Sequence, residues 1–450
     1  MSRPDLSARP VRSLPPSEVR PGAMGFLRAI AQFYFKVLLG FDSLEILHPE
    51  RLVRAYSDFF ARRSRIIVAF RHPYGDEPQL MAYLINRQLP REAAKLGVRF
   101  PKNPHAHFVH GYEVPLWAGA FERWVLTRTG AVPVYHTKFD SPSVGRIRLI
   151  VKDGEYPLAL APEGQTSYTS EGLPRIEQGT ARIAQWCVED LAREKRTEPV
   201  VIVPISIHHR WPESAGKNLD RLIGLTEREC GICGPTGSGR FERLSAIADR
   251  LLVLMEQHYA RYKKWSPPGA GASRSDRLSA VITAALRTAE GILGVAPDGD
   301  AIRRVYKIRQ KSWDTIFRAD IPDLDALAPL ERRLVDSLAA EAWLAARHME
   351  IGDLSSYLDF DRLKKDDPLS LYIEAAQNYY DLIRRLSGSN IGGRKNIGGK
   401  KAIAVIGEPV LIGHGAPPRT ARGRALTDAL TEELKRAYLD CIEEIRKGRC

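Results

Sequence analysis

Between residues 43 and 211 the sequence alternates short apolar, β-branched runs with longer helix-like segments, and this alternation limits the possible folds more than any other feature. The strand-like runs lie at 66–70, 107–109, 130–135, 156–161 and 199–207. The helix-like segments lie between them, at 78–97, 115–128, 141–153 and 178–195. Strands and helices in alternation are typical of a mostly parallel sheet covered by helices. The sequence therefore predicts an α/β fold.

The N-terminal 42 residues carry two different patterns. Residues 1–24 are rich in Pro, Arg and Ser and predict a disordered basic arm. Residues 25–41 are almost wholly apolar apart from Arg28, Gln32 and Lys36, which recur every four residues and would form a polar stripe on a helix predicted over 25–42. This helix is too short and too charged to span a bilayer comfortably. Two interpretations remain open: an amphipathic helix in the membrane interface, or a helix packed on the domain core.

Past Trp211 the pattern becomes helical. Residues 241–264 place apolar side chains at three- and four-residue spacing, and 276–386 are helical almost throughout. A strand-like run at 402–412 and a helix-like segment at 419–447 then follow. The chain has 450 residues, more than one core usually serves, so two or three domains are expected.

Composition limits the classes of binding partner and the cellular compartment that are expected for this chain. The formal net charge is +13, which favours an anionic partner such as a membrane surface, an acidic carrier protein, a phosphorylated cofactor or nucleic acid. Nucleic acid is the least favoured of these, because the positive charge is dispersed and no recognised binding module appears. The five cysteines are too few and too scattered for a secreted disulfide framework, which favours a reducing, cytoplasmic location.

The stretch with the clearest chemical content follows the strand at 66–70. His72, Asp76 and Glu77 lie in a turn there, before a helix that begins at about Pro78. Open α/β sheets keep their chemistry at the carboxyl ends of strands. A histidine suits proton abstraction near neutral pH, and a nearby carboxylate can orient its ring. Without a neighbouring Ser or Cys, the pair predicts activation of a substrate hydroxyl rather than of a protein nucleophile.

A second strand end carries related chemistry. The strand at 156–161 runs into Pro162, Glu163 and Gly164, whose carboxylate is expected at the same sheet edge as His72. The glycine would let a substrate approach the backbone closely. Two more strand-end elements lie at 130–136 (GAVPVYH) and 199–206 (PVVIVPIS). With the elements that follow the strands at 66–70 and 156–161, they form a set of four along the chain.

These four elements resemble the phospholipid and glycerol acyltransferase family, of the lysophosphatidate acyltransferase type. His72 matches the histidine of the family's His-x4-Asp motif, with Glu77 at the acid position and Asp76 just before it. Residues 130–136 resemble the second motif, 161–164 resemble Phe-Pro-Glu-Gly, and 203–207 resemble the proline-bearing fourth motif. The resemblance covers about 25–211 and resumes at 402–447, where Ile406–Pro409 (IGEP) resembles the Gly-Glu-Pro strand.

The resemblance implies a domain organisation and a reaction. The acyltransferase domain would be discontinuous, formed by 43–211 and 402–450, with 212–401 as a helical insertion. His72 would act as general base on a lipid hydroxyl, oriented by Glu77 or Asp76, with an acyl-CoA or acyl-carrier protein thioester as donor. Amide donors near Gly164 or at the start of the helix at 78 would stabilise the oxyanion, and neither a metal nor another cofactor is required.

The implied acceptor-binding residues include departures from the family pattern. They are Glu163, Gly164, Gln165, Thr166, His136 and Arg175. The family usually carries Arg where His136 stands, and Thr and Arg where Gln165 and Thr166 stand. Those arginines bind an acceptor phosphate, since a guanidinium binds phosphate in two places. A phosphorylated acceptor would therefore need a substitute cation from Lys138, Arg146, Arg148 or Arg175.

The expected function is acyl transfer to a glycerolipid in phospholipid synthesis or remodelling, by a cytoplasmic, peripheral membrane enzyme. Two alternatives stay open, both motivated by the altered second and third motifs. One is an acyltransferase for a lipid acceptor without phosphate. The other is a non-catalytic lipid- or carrier-binding protein on the same fold, because a fold does not guarantee a function.

Overall fold

A computed structural model describes most of the chain, namely residues 6–11, 16–135, 140–232, 239–263, 265–269, 271–388, 395–416 and 421–448. The chain divides into two compact units. The sheet unit contains Leu14–Trp211 and Gly398–Cys450, and the helical unit contains Met1–Ser13 and Pro212–Ile397. The first junction, after Trp211, lies at the predicted limit of 211. The second junction, after Ile397, lies four residues before the predicted limit of 401.

The described strands are short, apart from the one at 200–210. They are β1 (Arg9–Pro10), β2 (Phe41–Leu47), β3 (Arg65–Phe70), β4 (His107–Gly111), β5 (Val132–Val134), β6 (Leu158–Leu160), β7 (Val200–Arg210), β8 (Phe317–Arg318), β9 (Lys400–Ile406) and β10 (Val410–Ile412). The run predicted as one strand at 402–412 is thus two strands, interrupted at 407–409 by Gly-Glu-Pro.

The α-helices occupy most of the remaining described residues. They are α1 (Pro21–Phe33), α2 (Pro49–Phe60), α3 (Glu77–Tyr83), α4 (Leu89–Lys95), α5 (Val114–Trp117), α6 (Ala120–Leu126), α7 (Ser141–Asp153), α8 (Gly179–Arg193), α9 (Gly216–Glu229), α10 (Arg240–Ala260), α11 (Arg274–Leu293), α12 (Ala301–Ile316), α13 (Pro329–Ser355), α14 (Leu369–Leu386) and α15 (Gly423–Arg446). Two π-helical turns, Tyr34–Leu38 and Leu84–Gln88, continue α1 and join α3 to α4. None of the described helices is long and apolar enough to cross a membrane.

The sheet unit is built on one mixed, mostly parallel sheet, which confirms the predicted α/β class. The strands lie in the order β2-β9-β7-β3-β6-β4-β5, with β10 also paired to β7. β3 is parallel to both β6 and β7, so His72 after β3 and Glu163 after β6 lie at one edge. β9 is antiparallel to β7, with Arg210 opposite Lys401, so the first residue of β9 reaches the same edge.

Helices cover both faces of this sheet, as β3 illustrates. Ile66, Val68 and Phe70 pack in one buried cluster with α2 and α3, whereas Ile67 and Ala69 pack in another with α7, α8 and α15. A strand buried on both faces has no need of polar residues, which explains the continuous apolar run of its sequence.

The helical unit is held by its own core. Helices α11, α12 and α13 pack around a buried group formed by Leu286, Val305, Ile308, Ala345 and Met349. The short strands β1 and β8 pair in parallel in this unit.

In the described part of the N-terminal region, the structure differs from two predictions; residues 1–5 and 12–15 of the predicted arm lie outside the described residues. The arm expected at 1–24 includes β1, a bridge from Val19 to Thr129, and the start of α1 at Pro21, because proline is favoured at the first position of a helix. The helix expected over 25–42 ends before Gly40, whose φ of +70° is left-handed and stops it. The strand β2 then begins at Phe41.

The polar stripe predicted on this helix does not face solvent uniformly. Gln32 accepts a hydrogen bond of 2.6 Å from the Tyr83 hydroxyl, and Phe35 stacks on Tyr83 with ring centroids 4.2 Å apart. The opposite side carries the exposed apolar side chains of Phe26, Phe33 and Val37. One face of the segment therefore packs on the core, as one of the two interpretations expected.

Candidate active site

His72 and Glu77 form a close pair in the turn between β3 and α3. His72 Nδ1 lies 2.6 Å from Glu77 Oε2. The Glu77 carboxylate is fully buried, and it also accepts hydrogen bonds from the Tyr74 and Gly75 amides, at 2.9 and 2.8 Å. The turn requires Gly75, whose φ of +104° suits glycine and strains other residues. Three donors thus fix the position of the carboxylate beside the ring.

The environment of His72 raises its pKa above the usual 6.5. Burial alone would lower the pKa, but the hydrogen bond from the His72 ring to Glu77 and the charges of Glu77, Glu163 and Asp76 outweigh it. A raised pKa makes the imidazole a better proton acceptor.

The second ring nitrogen of His72 is on the more open side. Because Nδ1 faces a carboxylate, the neutral ring carries its proton there and leaves Nε2 as the acceptor. Thr166 Oγ1 lies 3.3 Å from Nε2, and the His72 side chain keeps 18% of its surface exposed. A hydroxyl group entering at this position could therefore give its proton to Nε2.

A buried ion pair fixes the two chain segments that carry His72 and Thr166. Arg71 and Glu163 are almost fully buried, with Arg71 Nε 3.1 Å from Glu163 Oε1. Glu163 also accepts hydrogen bonds from the His72 amide and from Ser167 Oγ. Arg71 donates further to the carbonyl oxygens of Thr169, Ser170 and Gly172, at 2.6 to 2.8 Å. These contacts favour a positioning role for Glu163 over the predicted contact with the acceptor.

Asp76 has a different partner from Glu77. Its Oδ2 is bonded to Lys400 Nζ, and its Oδ1 lies 3.7 Å from His209 Nε2. Burial raises the pKa of Asp76, and the Lys400 charge opposes that rise. Lys400 is itself 9% exposed and lies 4.1 Å from the centroid of the Phe41 ring. Of the two acids left open by the sequence, Glu77 is the one bonded to His72.

Among the described residues, one group offers donor atoms at metal-binding spacing. Donor atoms of Asp76, Glu77 and His209 lie within 4.8 Å of one another. However, Lys400 already neutralises Asp76, and both Glu77 oxygens accept hydrogen bonds from amides. This arrangement suits a network of charges and hydrogen bonds better than a divalent cation.

The other predicted acceptor residues lie in the turn that carries Thr166 and at two further positions. Gly164, at a φ of +76°, and half-buried Gln165 lie in the same turn as Thr166. Arg175 Nε lies 3.4 Å from Glu177 Oε1, with 44% of its side chain exposed. His136 lies outside the described residues. The acceptor-binding roles remain predictions.

Sequence reasoning missed two residues of the site, Arg71 and Lys400. Arg71 directly precedes His72, and a charged residue at the end of an otherwise apolar buried strand was a usable signal. Lys400 carried no such signal, because it reaches the site only through the antiparallel pairing of β9 with β7.

Comparison with known proteins adds no assignment. No protein-family profile matches this chain. No curated protein matches it either.

Proposed function

We propose that the protein is an O-acyltransferase that moves a fatty acyl group from acyl-CoA or acyl-carrier protein to a hydroxyl of a glycerolipid such as lysophosphatidate. The observation that carries the proposal is the His72–Glu77 pair, with Nδ1 bonded to a buried carboxylate and Nε2 directed toward Thr166. This arrangement suits a general base for a substrate hydroxyl.

In the proposed reaction His72 Nε2 accepts the proton of the acceptor hydroxyl while the hydroxyl oxygen attacks the thioester carbonyl carbon. The carbon–sulfur bond of the tetrahedral intermediate then breaks, and the imidazolium returns the proton to the departing thiolate. The Glu77 carboxylate, bonded to Nδ1, stabilises the imidazolium. Arg71 and Glu163 hold the backbone on either side of the reacting nitrogen.

The oxyanion of the intermediate needs hydrogen-bond donors. The Gly164 amide, one of the donors that the sequence suggested, already donates to the Ala161 carbonyl at 3.1 Å. In the turn before α3, the amides of Tyr74 and Gly75 donate to Glu77. We assign the role to the Thr166 hydroxyl, because it lies 3.3 Å from His72 Nε2.

The membrane would supply the acceptor, and one side of the first helical segment suits contact with it. Phe26, Phe33, Val37 and Leu38 are 50 to 61% exposed on α1 and the π-helical turn after it. Apolar side chains at this exposure favour insertion into a lipid interface. Replacing Phe33, Val37 and Leu38 by Ser should reduce co-sedimentation with liposomes, whereas undiminished binding would contradict this contact.

The catalytic proposal is tested by measuring acyl transfer with the purified wild type, His72→Ala and His414→Ala, an exposed histidine as matched control. We expect His72→Ala to lose at least about 100-fold in rate, because general-base catalysis contributes at least that much. Activity retained in His72→Ala would overturn the assignment. A wild type that binds lipid or carrier protein but transfers no acyl group would instead favour the non-catalytic alternative.

The acceptor is tested in the same assay by comparing lysophosphatidate with monoacylglycerol. Arg175 is paired with Glu177, and neutral Gln165 and Thr166 lie in the turn beside His72. If no cation substitutes for the family's arginines, monoacylglycerol should react at least as fast. A clear preference for lysophosphatidate would indicate a phosphate-binding cation and exclude the acceptor without phosphate.

A further inference from the structure

Helix α13 carries an unusual run of leucines on its solvent side. Leu330, Leu334, Leu338 and Leu344 are 68, 59, 51 and 44% exposed. Single exposed leucines need no explanation, but a contiguous apolar stripe usually marks an interaction site. We call these four residues the leucine face.

Three of the four leucines lie on a seam with the spacing of a helix pair, and Leu338 lies beside that seam. Leu330, Leu334, Ser337, Glu341 and Leu344 follow one another at intervals of four, three, four and three residues, and all five are exposed. This is the seam pattern by which two helices pack side by side. The seam from 330 to 344 is about 21 Å long at the rise of an α-helix.

Charges on this helix indicate which kind of surface the face meets. Glu341 lies within the seam and Arg333 beside it, and neither forms an ion pair with another described residue. A carboxylate in the middle of an apolar face disfavours insertion into a membrane, where it would lose its water without gaining a partner. A protein partner that supplies a cation opposite Glu341 fits better.

The chain itself provides that cation at the required position. Arg333 and Glu341 lie four residues on either side of Ser337, and Leu330 and Leu344 lie seven residues on either side. In an antiparallel pair with its two-fold axis at Ser337, each Arg333 is level with Glu341 of the second copy. Each Leu330 is level with Leu344 of the second copy. The face is therefore complementary to itself, as a two-fold interface requires.

The short segments that lie outside the described residues have compositions that do not match this face. The sequence at 1–5, 12–15, 136–139, 233–238, 264, 270, 389–394, 417–420 and 449–450 is mostly Gly, Pro and polar residues. It holds too few large apolar side chains to match four leucines.

We propose that a second copy of this chain occupies the leucine face, through antiparallel pairing of α13 with α13. A seam of this length is small for a protein interface, so the dimer is weak and concentration-dependent.

Sedimentation equilibrium of the full chain over a range of concentrations tests the proposal. The wild type should show a reversible monomer–dimer equilibrium, and Leu334→Glu should raise the dissociation constant at least about tenfold. Leu149→Glu is the matched control, because Leu149 is 60% exposed on another helix, α7, and should leave the equilibrium unchanged. An unaltered melting temperature shows that Leu334→Glu still folds.

Charge reversal distinguishes self-association from other uses of the face. Arg333→Glu and Glu341→Arg should each weaken the dimer, and the double variant R333E/E341R should restore it, because reversal of both charges recreates the pairing. A chain that is monomeric at every concentration overturns the proposal. A double variant that dimerises as weakly as the single variants also overturns it. So does a monomeric wild type that binds phosphatidylglycerol vesicles and loses this binding in Leu334→Glu.

Discussion

At the scale of single residues, the length of one side chain determines how the candidate base is held. Glu77 is the first residue of α3, and its side chain folds back over the turn to meet His72 and two amides. Asp76, one residue earlier and one methylene shorter, points to Lys400 instead. Two adjacent carboxylates thus bind different partners, Glu77 the His72 ring and Asp76 the Lys400 ammonium group.

Glu77→Gln should slow acyl transfer by roughly 100- to 10,000-fold, because a neutral amide no longer stabilises the imidazolium. The pH–rate profile should also move. Glu77 raises the pKa of His72, so its loss lowers that pKa and shifts the acid limb of kcat/KM to lower pH. The wild-type limb should lie above pH 6.5. Rate measurements from pH 5 to pH 9 check both effects.

Asp76→Asn is the matched control for this experiment, since it removes the neighbouring negative charge without touching the hydrogen bond to His72. Its rate loss should be much smaller than that of Glu77→Gln. The reverse order would transfer the orienting role to Asp76.

The sequence could identify His72, the two candidate acids and Thr166, because each follows an apolar strand in a recognisable pattern. It could not choose between Asp76 and Glu77. That choice depends on the dihedral angles of the turn at 73–76, including the left-handed Gly75, which place one carboxylate under the ring and direct the other away. Glu163 was recognised, but its buried partner Arg71 was not, so its positioning role was missed.

At the scale of secondary-structure elements, the direction of one strand completes the site. β9 is antiparallel to β7, so its N-terminal residue Lys400 arrives at the edge where the parallel strands β3 and β6 end. Its ammonium group neutralises Asp76 in a partly buried position. A parallel β9 would have placed Lys400 at the opposite edge.

Lys400→Met should destabilise the sheet unit by about 3 kcal/mol at neutral pH, because it leaves a largely buried carboxylate unpaired. The loss should be smaller in acid. The folded pKa of Asp76 is raised, and it rises further without Lys400, so the folded state binds a proton more tightly than the unfolded state. The penalty is therefore present at neutral pH and shrinks as the pH falls through the folded pKa.

Urea unfolding of the wild type and Lys400→Met at pH 7.5 and pH 5 measures this difference. Lys435→Met, on α15, is a suitable control because Lys435 is 44% exposed and pairs with an exposed Glu432. An equal loss of stability at both pH values would contradict the pairing of Lys400 with an ionised Asp76.

Elements were predictable where their apolar period was strong. Helix α7 begins and ends where the sequence predicted, at 141 and 153, and β3 differs by one residue. β2 was missed because the FDSLEIL segment at 41–47 mixes acidic and apolar residues at a partly exposed sheet edge, and α2 was missed as well. The helix predicted at 25–42 extends too far toward the C-terminus, because its apolar pattern continues through Gly40 into β2.

At the scale of the whole molecule, the sheet is assembled from two distant parts of the sequence. The last residues of β7 and the first of β9 are neighbours in the sheet, although the helical unit separates them in the chain. Opposite residues of an antiparallel pair lie about 5 Å apart, a distance that a short turn can span. The connection through 212–397 is therefore not needed to close the sheet.

A chain of residues 14–211 joined to 398–450 by a turn of about five residues should fold and keep the His72–Glu77 pair. Residues 1–13 are omitted because Ala8 packs in the helical unit, beside Leu324 and Ala339. Cooperative urea unfolding and near-ultraviolet circular dichroism check the fold. A molten or aggregated product would contradict the independence of the sheet unit.

The separation of β7 and β9 has a consequence during synthesis on the ribosome. β9 is made about 190 residues after β7, and at translation speeds of about 5–20 residues per second this delay is tens of seconds at the slow end. Throughout that time one edge of β7 and all of β2 lack the strand that pairs with them, and open strand edges promote aggregation. Because Lys400 belongs to the late strand, the partner of Asp76 is also missing during this time, so the nascent chain cannot assemble its charge network before β9 has been synthesised.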